Sequence, residues 1–412
     1  MNPNMFRARW VFPVSRPPIN GGVVRIQNGL IQEVSQAQQE TEGADLGNCA
    51  ILPGLVNVHT HLEFSQLTEP LAEAGTPLPT WIRRVIEYRS QQAQGQLSDQ
   101  QTAINRINNG LVESQNSGTA LVGEIATRQW PTSPFESSSI SSTVFLELMG
   151  LSDDRVKDAE QMSRAHLQLA SRPGTRWNAG LSPHAPYTAS LQLVEQTAKL
   201  SAETDTPVAM HLAESREELQ LLSQGDGSLR DLLEERGFWF EGVIPKKTSI
   251  RDYLERLSLC ARSLVIHGNY LNYGDIEFLA QRSSRMSVIY CPRTHAFFRH
   301  DRYPLQELLK AGICVGFGTD SRASNPDLSL WRELRSVARF HPGVSPKTIL
   351  EMATVGGAIA LGRSTEFGTL EPGKRAALTM IRLPDRAGHD PYDLLMSDEA
   401  HVESTDGWME AC

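Results

Sequence analysis

The chain has 412 residues, a length that fits either two or three ordinary domains or one large α/β barrel with a small additional domain. Its 48 Asp and Glu residues outnumber 39 Lys and Arg residues, and the net charge of −9 gives no electrostatic case for a nucleic-acid partner. The 40% hydrophobic and 21% charged content excludes disordered, collagen-like and coiled-coil compositions.

The sequence shows no export or membrane signal. The apolar stretch at 10–14 is interrupted by Pro13, and no apolar run approaches the ~20 residues that cross a bilayer. The five cysteines are odd in number and contain no CxxC pair, which is typical of reduced thiols rather than a disulfide framework or a cysteine zinc site. We therefore expect a cytoplasmic protein that binds no membrane.

Both ends of the chain predict β structure. Extended fragments at 22–27 and 30–34 flank an Asn28-Gly29 turn signal, which predicts a hairpin. Near the other end, the turn-rich stretch 368–374 leads into a strand-like run at 377–383. We predict that segments 1–50 and 355–412 form one small β-sandwich domain.

Between these ends, short apolar β-rich runs alternate with helical patterns, which indicates βα units and a parallel sheet. The eight predicted strands are 51–58, 119–125, 143–149, 177–182, 207–212, 263–267, 286–290 and 313–318. Eight such units close most simply as a (β/α)8 barrel, predicted over 51–354, although the pattern alone also allows a doubly wound open sheet.

Histidines and one aspartate stand at or just after the C-terminal ends of these strands. In a barrel those ends share one face, where active sites are built. His59 and His61 are two residues apart in an extended segment, so both side chains point the same way, as two ligands of one ion require. The other members of the set are His184, His211, His267 and Asp320.

A metal site follows from this set. His59, His61, His211 and Asp320 offer three nitrogen ligands and one oxygen ligand, a combination that suits zinc or ferrous iron. Glu214 lies three residues after His211 and can approach the same centre without being a ligand, which is the natural place for an acid–base group.

At this point the residues carry a resemblance. The ordered motifs LPGLVNVHTHLE, SPHAPYT, MHLAES, VIHGNYL, YCPRTH and GTDSRASN, followed by EPGK, resemble the amidohydrolase superfamily, in its branch of metal-dependent cytosine, guanine and S-adenosylhomocysteine deaminases. The match runs from about residue 20 to 383. Within that branch, HTHLEFS, CPRTHAFF and GTDSRASN are most similar to the aminodeoxyfutalosine deaminases of menaquinone synthesis.

The resemblance implies one divalent metal ion, zinc first and iron as the alternative, held by His59, His61, His211 and Asp320. It implies that His267 holds the attacking water, that Asp320 takes its proton, and that Glu214 protonates a ring nitrogen. It also implies that His184 contacts the substrate. The lysines all fall in predicted helices or turns, which disfavours a lysine-bridged pair of metals.

Other polar residues near the strand ends are harder to assign. Glu63 could face the substrate or cap its loop, and Arg293 could reach a substrate; we include both as candidate substrate contacts. Glu124 and Glu147 end two predicted strands, but carboxylates at such positions also bind backbone amides, so we leave both outside the predicted site. Cys291 fits packing better than nucleophilic catalysis.

We expect a metal-dependent aminohydrolase that replaces an amine on a purine-type ring, with release of ammonia. The first candidate substrate is 6-amino-6-deoxyfutalosine, whose carboxylate would need a cationic partner such as Arg293 or Arg322. The alternatives are S-adenosylhomocysteine or adenosine-type nucleosides, guanine, and hydrolytic displacement on a triazine. A non-catalytic binding protein on the same fold would be expected to lose ligands. The expected partner is a small-molecule substrate, and we expect neither a nucleic-acid nor a membrane partner. A homodimer fits this class.

Overall fold

The strands form two separate sheets. The computed structural model describes residues 4–37, 43–94, 100–245, 247–388 and 390–403, and the remaining parts of the predicted domain ranges lie outside the described residues. The strands in chain order are β1 (Asn4–Val11), β2 (Ile19–Gln27), β3 (Leu30–Gln36), β4 (Ala44–Asp45), β5 (Cys49–Pro53), β6 (Leu55–Thr60), β7 (Thr119–Ala126), β8 (Ser141–Leu148), β9 (Trp177–Pro183), β10 (Pro207–Leu212), β11 (Arg262–His267), β12 (Met286–Tyr290), β13 (Cys314–Phe317), β14 (Leu378–Arg382) and β15 (His401–Val402).

The larger sheet is a closed eight-stranded parallel barrel. Its order is β6-β7-β8-β9-β10-β11-β12-β13, with β13 pairing β6. This confirms the predicted (β/α)8 barrel. Apolar residues at alternate positions along the strands face inward and fill the barrel. Ala358, Leu361 and Phe367 pack against them.

Helices connect the barrel strands and cover the outside of the barrel. They are α1 (Leu78–Gln94), α2 (Gln100–Asn116), α3 (Ser133–Ser137), α4 (Asp153–Ala170), α5 (Leu191–Thr204), α6 (Arg216–Gln224), α7 (Ser228–Glu235), α8 (Ile250–Leu257), α9 (Tyr273–Ala280), α10 (Pro292–Phe297), α11 (Leu305–Lys310), α12 (Leu330–Phe340), α13 (Pro346–Glu351), α14 (Gly357–Ala360) and α15 (Pro391–Met396). A 3-10 turn at Leu62–Phe64 follows β6, and a π-helical segment at Met352–Gly356 joins α13 to α14. None of the described helices combines the length and apolar character needed to span a bilayer.

The smaller domain is built from both ends of the chain, as predicted. Its order is β15-β14-β5-β1-β2-β3, with β4 paired to β1, and it mixes parallel and antiparallel pairs. The β2–β3 hairpin is confirmed, and both turn residues, Asn28 and Gly29, have the left-handed φ angles that this turn requires. Within the described residues the strands form one mixed sheet rather than the two stacked sheets of a sandwich.

The first predicted barrel strand, 51–58, is two strands in the structure. Gly54 separates β5, in the mixed sheet, from β6, in the barrel. The Gly54 amide donates to the Ala377 carbonyl at 2.7 Å, and a Cβ at this position would lie 2.3 Å from that of Ala120. The apolar run hides this junction because both strands are fully buried. The domain boundaries predicted at residues 50 and 354 stay a prediction, and these strand bounds place the first change of sheet at Gly54.

The close packing of β7 against β6 can be tested at Gly123. A Cβ at Gly123 would lie 2.1 Å from the Val58 carbonyl oxygen, a backbone atom that cannot rotate away. We expect Gly123→Ala to lower the free energy of unfolding by about 1–3 kcal/mol, measured by chemical denaturation.

The control is Gly274→Ala in α9, where the nearest atoms to an added Cβ are 3.3 and 3.5 Å away. Because Ala favours a helix over Gly, this variant should change stability by less than about 1 kcal/mol. Equal denaturation midpoints for the two variants would contradict the packing argument.

Candidate metal centre and active site

The predicted ligands His59, His61, His211 and Asp320 lie at the C-terminal end of the barrel together with His267, which was predicted to hold the water. His59 belongs to β6, His211 to β10 and His267 to β11, while Asp320 follows β13. The Asp320 amide donates to the His59 carbonyl at 3.0 Å, which fixes the loop after β13 against β6. His267 and Asp320 both have left-handed φ angles, of 68° and 57°, and such strain in non-glycine residues is concentrated at functional sites.

The side-chain ligand atoms converge on one point. Two groups of three have all their ligand atoms within 4.8 Å of one another, and both contain His59: one adds His211 and His267, the other His61 and Asp320. The Nε2 atoms of His59 and His61 each lie 3.6 Å from Oδ1 of Asp320, and those of His61 and His211 lie 3.4 Å apart. All five residues are buried.

The protonation states favour metal binding. Burial, reinforced by neighbouring imidazoles, holds the pKa values of His61, His211 and His267 well below the ordinary histidine range. Burial would raise the pKa of Asp320, but the nearby imidazoles of His59, His61 and His267 hold it below its usual value. The imidazoles of His61, His211 and His267 are therefore neutral and the Asp320 carboxylate is ionised, which are the forms in which these groups bind metals.

Two further observations show that the residues fit a metal ion. Nδ1 of His211 lies 2.9 Å from the His184 carbonyl, which can only accept, so Nδ1 carries the proton and Nε2 presents its lone pair to the centre. Both ring nitrogens of His59, and Nδ1 of His61, are buried without a hydrogen-bond partner among the described residues. This nitrogen-rich set with one hard oxygen suits a divalent ion such as zinc or ferrous iron.

Glu214, the predicted acid–base residue, lies beside His267 at the centre. Its Oε1 lies 3.5 Å from Nε2 of His267, and the residue is 6% exposed. Burial, with the charges of Asp320 and Glu218, raises the pKa of Glu214 well above that of an ordinary carboxyl. A protonated acid at this position can donate a proton to a bound ligand.

The backbone around Glu214 is held by two residues that the sequence analysis did not identify. The buried Glu218 carboxylate accepts from the amides of Ala213 and Glu214 at 2.9 and 3.0 Å. The Asn269 side-chain amide donates to the Glu214 carbonyl at 2.9 Å. The capping position of Glu218 in α6, at N3 after Ser215, was a sequence signal that could have found it.

A cavity of about 580 Å³ opens above the centre, a volume in the usual range for small-molecule sites. His184 lies on its wall, with Nδ1 2.6 Å from the Thr188 hydroxyl, and burial lowers its pKa to about 3. The outer wall is apolar and comes mainly from α1 and α7. It includes Leu78, Trp81, Ile82, Val85, Ile86, Leu232, Leu233 and Phe238.

The two other predicted substrate contacts do not line this cavity. The Glu63 carboxylate pairs with Arg89 at 2.5 Å, and Arg89, rather than Glu63, is on the cavity wall. Arg293 is bound by Glu333 and Asp327 at 2.6 and 2.7 Å, with its side chain 14% exposed. The structure therefore does not bring Arg293 to the cavity, because its donors already bind the Glu333 and Asp327 carboxylates.

The cavity wall also contains residues outside the predicted set. Glu147, at the end of β8, is on the wall together with Tyr187 and Arg89. Glu147 was a strand-end carboxylate like Glu124, and sequence position alone did not separate the two. The sequence signal that was available is the same one that identified His184: a polar side chain at the C-terminal end of a barrel strand.

Comparison with known proteins agrees with this architecture. A model of the amidohydrolase family matches residues 50–407. The chain is 28% identical over 393 residues to the 5-methylthioadenosine/S-adenosylhomocysteine deaminase of Desulforudis audaxviator, covering 92% of this chain and 85% of the relative.

Solved structures show the same fold. The aminofutalosine deaminase of Helicobacter pylori, in complex with methylthio-coformycin, superposes with a TM-score of 0.80 at 22% identity, over 97% of each chain. A variant of the atrazine chlorohydrolase of Arthrobacter aurescens, with zinc and atraton, superposes with a TM-score of 0.80 at 21% identity, over 97% of this chain and 93% of the other.

Asp320 supplies the carboxylate ligand and so gives a direct test of the centre. An amide is a much weaker ligand than a carboxylate. Loss of groups that only hydrogen-bond to metal ligands lowers metal affinity by roughly 10- to 100-fold, so Asp320→Asn should lower it by at least this factor. Elemental analysis after dialysis against a chelator measures this. The exposed Asp226→Asn variant should keep the wild-type metal content, and equal contents in both variants would exclude Asp320 as a ligand.

Proposed function

The chain belongs to the amidohydrolase family, and we propose that it is a metal-dependent hydrolytic deaminase acting on an amino-substituted purine-type ring. The observation that carries this proposal is the position of Glu214: a buried acid with a raised pKa, 3.5 Å from His267, beside the ligand set at the floor of a small-molecule cavity. Deamination of such a ring needs an acid, a base and an activated water in one place.

The side chains divide this work. Glu214 donates a proton to the ring nitrogen next to the amine-bearing carbon, while the water oxygen forms a bond to that carbon. Asp320 accepts the proton of the water, and His267 orients the water. Asp320 then passes the water proton to the amine, the bond between carbon and nitrogen breaks to release ammonia, and the new hydroxyl group returns a proton to Glu214 as it becomes the carbonyl.

The ligand set is proposed as His59, His61, His211 and Asp320, with one ion per chain. A divalent cation held there supplies Lewis-acid activation of water near neutral pH. Zinc is the proposed ion, because the ligands are three imidazoles and one carboxylate, and ferrous iron is the alternative. Elemental analysis of protein expressed with both metals separates the two.

Among purine-type substrates we propose 6-amino-6-deoxyfutalosine first and adenosine-type nucleosides such as S-adenosylhomocysteine next. A structural neighbour named as an aminofutalosine deaminase supports the first candidate, and a relative named as a 5-methylthioadenosine/S-adenosylhomocysteine deaminase supports the second. Guanine and a halogenated triazine are the remaining alternatives. Neither cation expected to bind a substrate carboxylate lines the cavity, because Arg322 is paired with Glu113 at 2.8 Å and Arg293 with Glu333. Cytoplasmic location and homodimeric assembly stay predictions.

Replacement of the proposed acid separates catalysis from metal binding. Glu214→Gln removes the transferable proton but keeps the side-chain shape, so turnover should fall by at least about 100-fold while metal content stays at the wild-type level. Steady-state ammonia release and elemental analysis on the same samples measure both. The exposed Glu203→Gln variant on α5 is the matched control and should retain full turnover.

A substrate panel tests the reaction class. Ammonia release from aminodeoxyfutalosine, S-adenosylhomocysteine, adenosine or guanine is the expected result. Chloride release from a chlorinated triazine without ammonia release from any amine would reject the deaminase assignment and keep the hydrolase assignment. A protein that holds little metal after supplemented expression and acts on no compound would instead be a binding protein on this fold.

A further inference from the structure

Two strand-end carboxylates that look equivalent in the sequence have opposite surroundings. Glu124, at β7, accepts from the Thr60 hydroxyl at 2.6 Å and from the Leu62 amide at 3.0 and 3.1 Å. It therefore fixes the turn that follows His59 and His61. Glu147, at β8, is 7% exposed, and its carboxyl group makes no hydrogen bond to any described residue. A carboxyl group that lies on a cavity wall without a donor among these residues is available to accept from a ligand there.

The contacts of Glu147 show which way it faces. It lines the cavity above the metal centre, and its Oε1 lies 3.8 Å from Nε2 of His184, too far for a hydrogen bond. Burial raises the pKa of Glu147, and the nearby Arg89 and His59 oppose that shift. Its free acceptor atoms thus face the volume that a substrate would fill.

Arg89 adds a hydrogen-bond donor to the cavity wall that Glu147 lines. The guanidinium binds Glu63 through Nη2 only, and in the described part of the chain no acceptor binds Nη1. The Arg89 side chain is 33% exposed and lies on the same cavity wall as Glu147. The charges of Glu63 and Glu147 both stabilise the Arg89 cation.

This cavity wall therefore offers one acceptor, Glu147, and one donor, Arg89, and Arg89 is already paired with the Glu63 carboxylate. A second anion there would face both Glu63 and Glu147, and a cation would face Arg89. A hydroxyl group is neutral and both donates and accepts, so it satisfies both side chains at once.

We propose that Glu147 and Arg89 form a subsite for a hydroxyl group on the substituent attached to the reacting ring, with Glu147 accepting the hydroxyl hydrogen and Arg89 donating to the hydroxyl oxygen. The enzyme accordingly selects nucleosides, through their sugar hydroxyls, over free bases. This inference rests on the proposed deaminase function, and both residues are substrate-binding residues rather than members of the proton-transfer set.

The test compares adenosine with 2′,3′-dideoxyadenosine, which lacks both ring hydroxyls of the sugar. For the wild type we expect kcat/KM to favour adenosine by at least about tenfold, since a site built to bind a hydroxyl rejects the analogue without it. In Glu147→Ala the preference should fall to within about threefold of unity, mainly through loss on adenosine. An unchanged preference in Glu147→Ala, or none in the wild type, overturns the proposal.

Glu124→Gln is the matched control, because it changes the same residue type at the neighbouring strand end. It should lower the melting temperature and keep the wild-type preference for adenosine. Glu147→Ala should lower the melting temperature less than Glu124→Gln does, because the Glu147 carboxyl accepts no hydrogen bond from the described residues whereas that of Glu124 accepts from Thr60 and Leu62. A loss of stability in Glu147→Ala as large as that in Glu124→Gln would indicate a structural role for Glu147.

Calorimetric binding of inosine, a deaminated nucleoside, separates this inference from the proposed function. Inosine should bind Glu147→Ala at least about tenfold more weakly than the wild type. Equal affinities, or no binding to the wild type, overturn the subsite even if adenosine is deaminated. Weaker binding to the variant, combined with no ammonia release from any compound, would keep the subsite and reject the deaminase.

Discussion

Buried imidazoles and one ionised carboxylate face one another at the floor of the cavity, with ligand atoms in each group of three within 4.8 Å. Several of the ring nitrogens have no protein partner, and those of His61 and His211 point at each other across 3.4 Å. Burial of so many polar atoms is unfavourable unless an ion satisfies them. The geometry of the surrounding loops depends on keeping this arrangement in place.

Buried hydrogen bonds outside the centre hold the ligands. The Asn57 side chain exchanges hydrogen bonds with Thr319, at 2.8 and 3.1 Å, which ties β6 to the residue before Asp320. The Tyr303 hydroxyl donates to the carbonyl of His267, at 2.9 Å, where the backbone is left-handed. Strained ligand positions persist because such bonds fix them.

The cavity divides into a polar floor and an apolar outer wall. Arg83 on α1 makes a bidentate ion pair with Glu235 on α7, at 2.8 and 2.9 Å, so the two helices that supply the apolar wall are tied together. The apolar wall would therefore pack against a flat heterocycle, and the polar residues of the floor would determine which substrates bind. The metal-ligand set of this barrel is separate from the residues that are proposed to select the substrate.

The sequence by itself determined the barrel, the composite β domain and the set His59, His61, His211, His267 and Asp320. Strand ends of a parallel barrel share one face, so position along the chain is enough to bring such residues together. Only the tertiary structure decided which strand-end carboxylate is satisfied, which arginine faces the cavity, and that the run 51–58 crosses from one sheet to the other. Those outcomes depend on donors and backbone atoms supplied by distant segments: Arg293 is bound by Glu333 from α12, and Gly54 is fixed by Ala377 from the other end of the chain. No local spacing encodes such contacts.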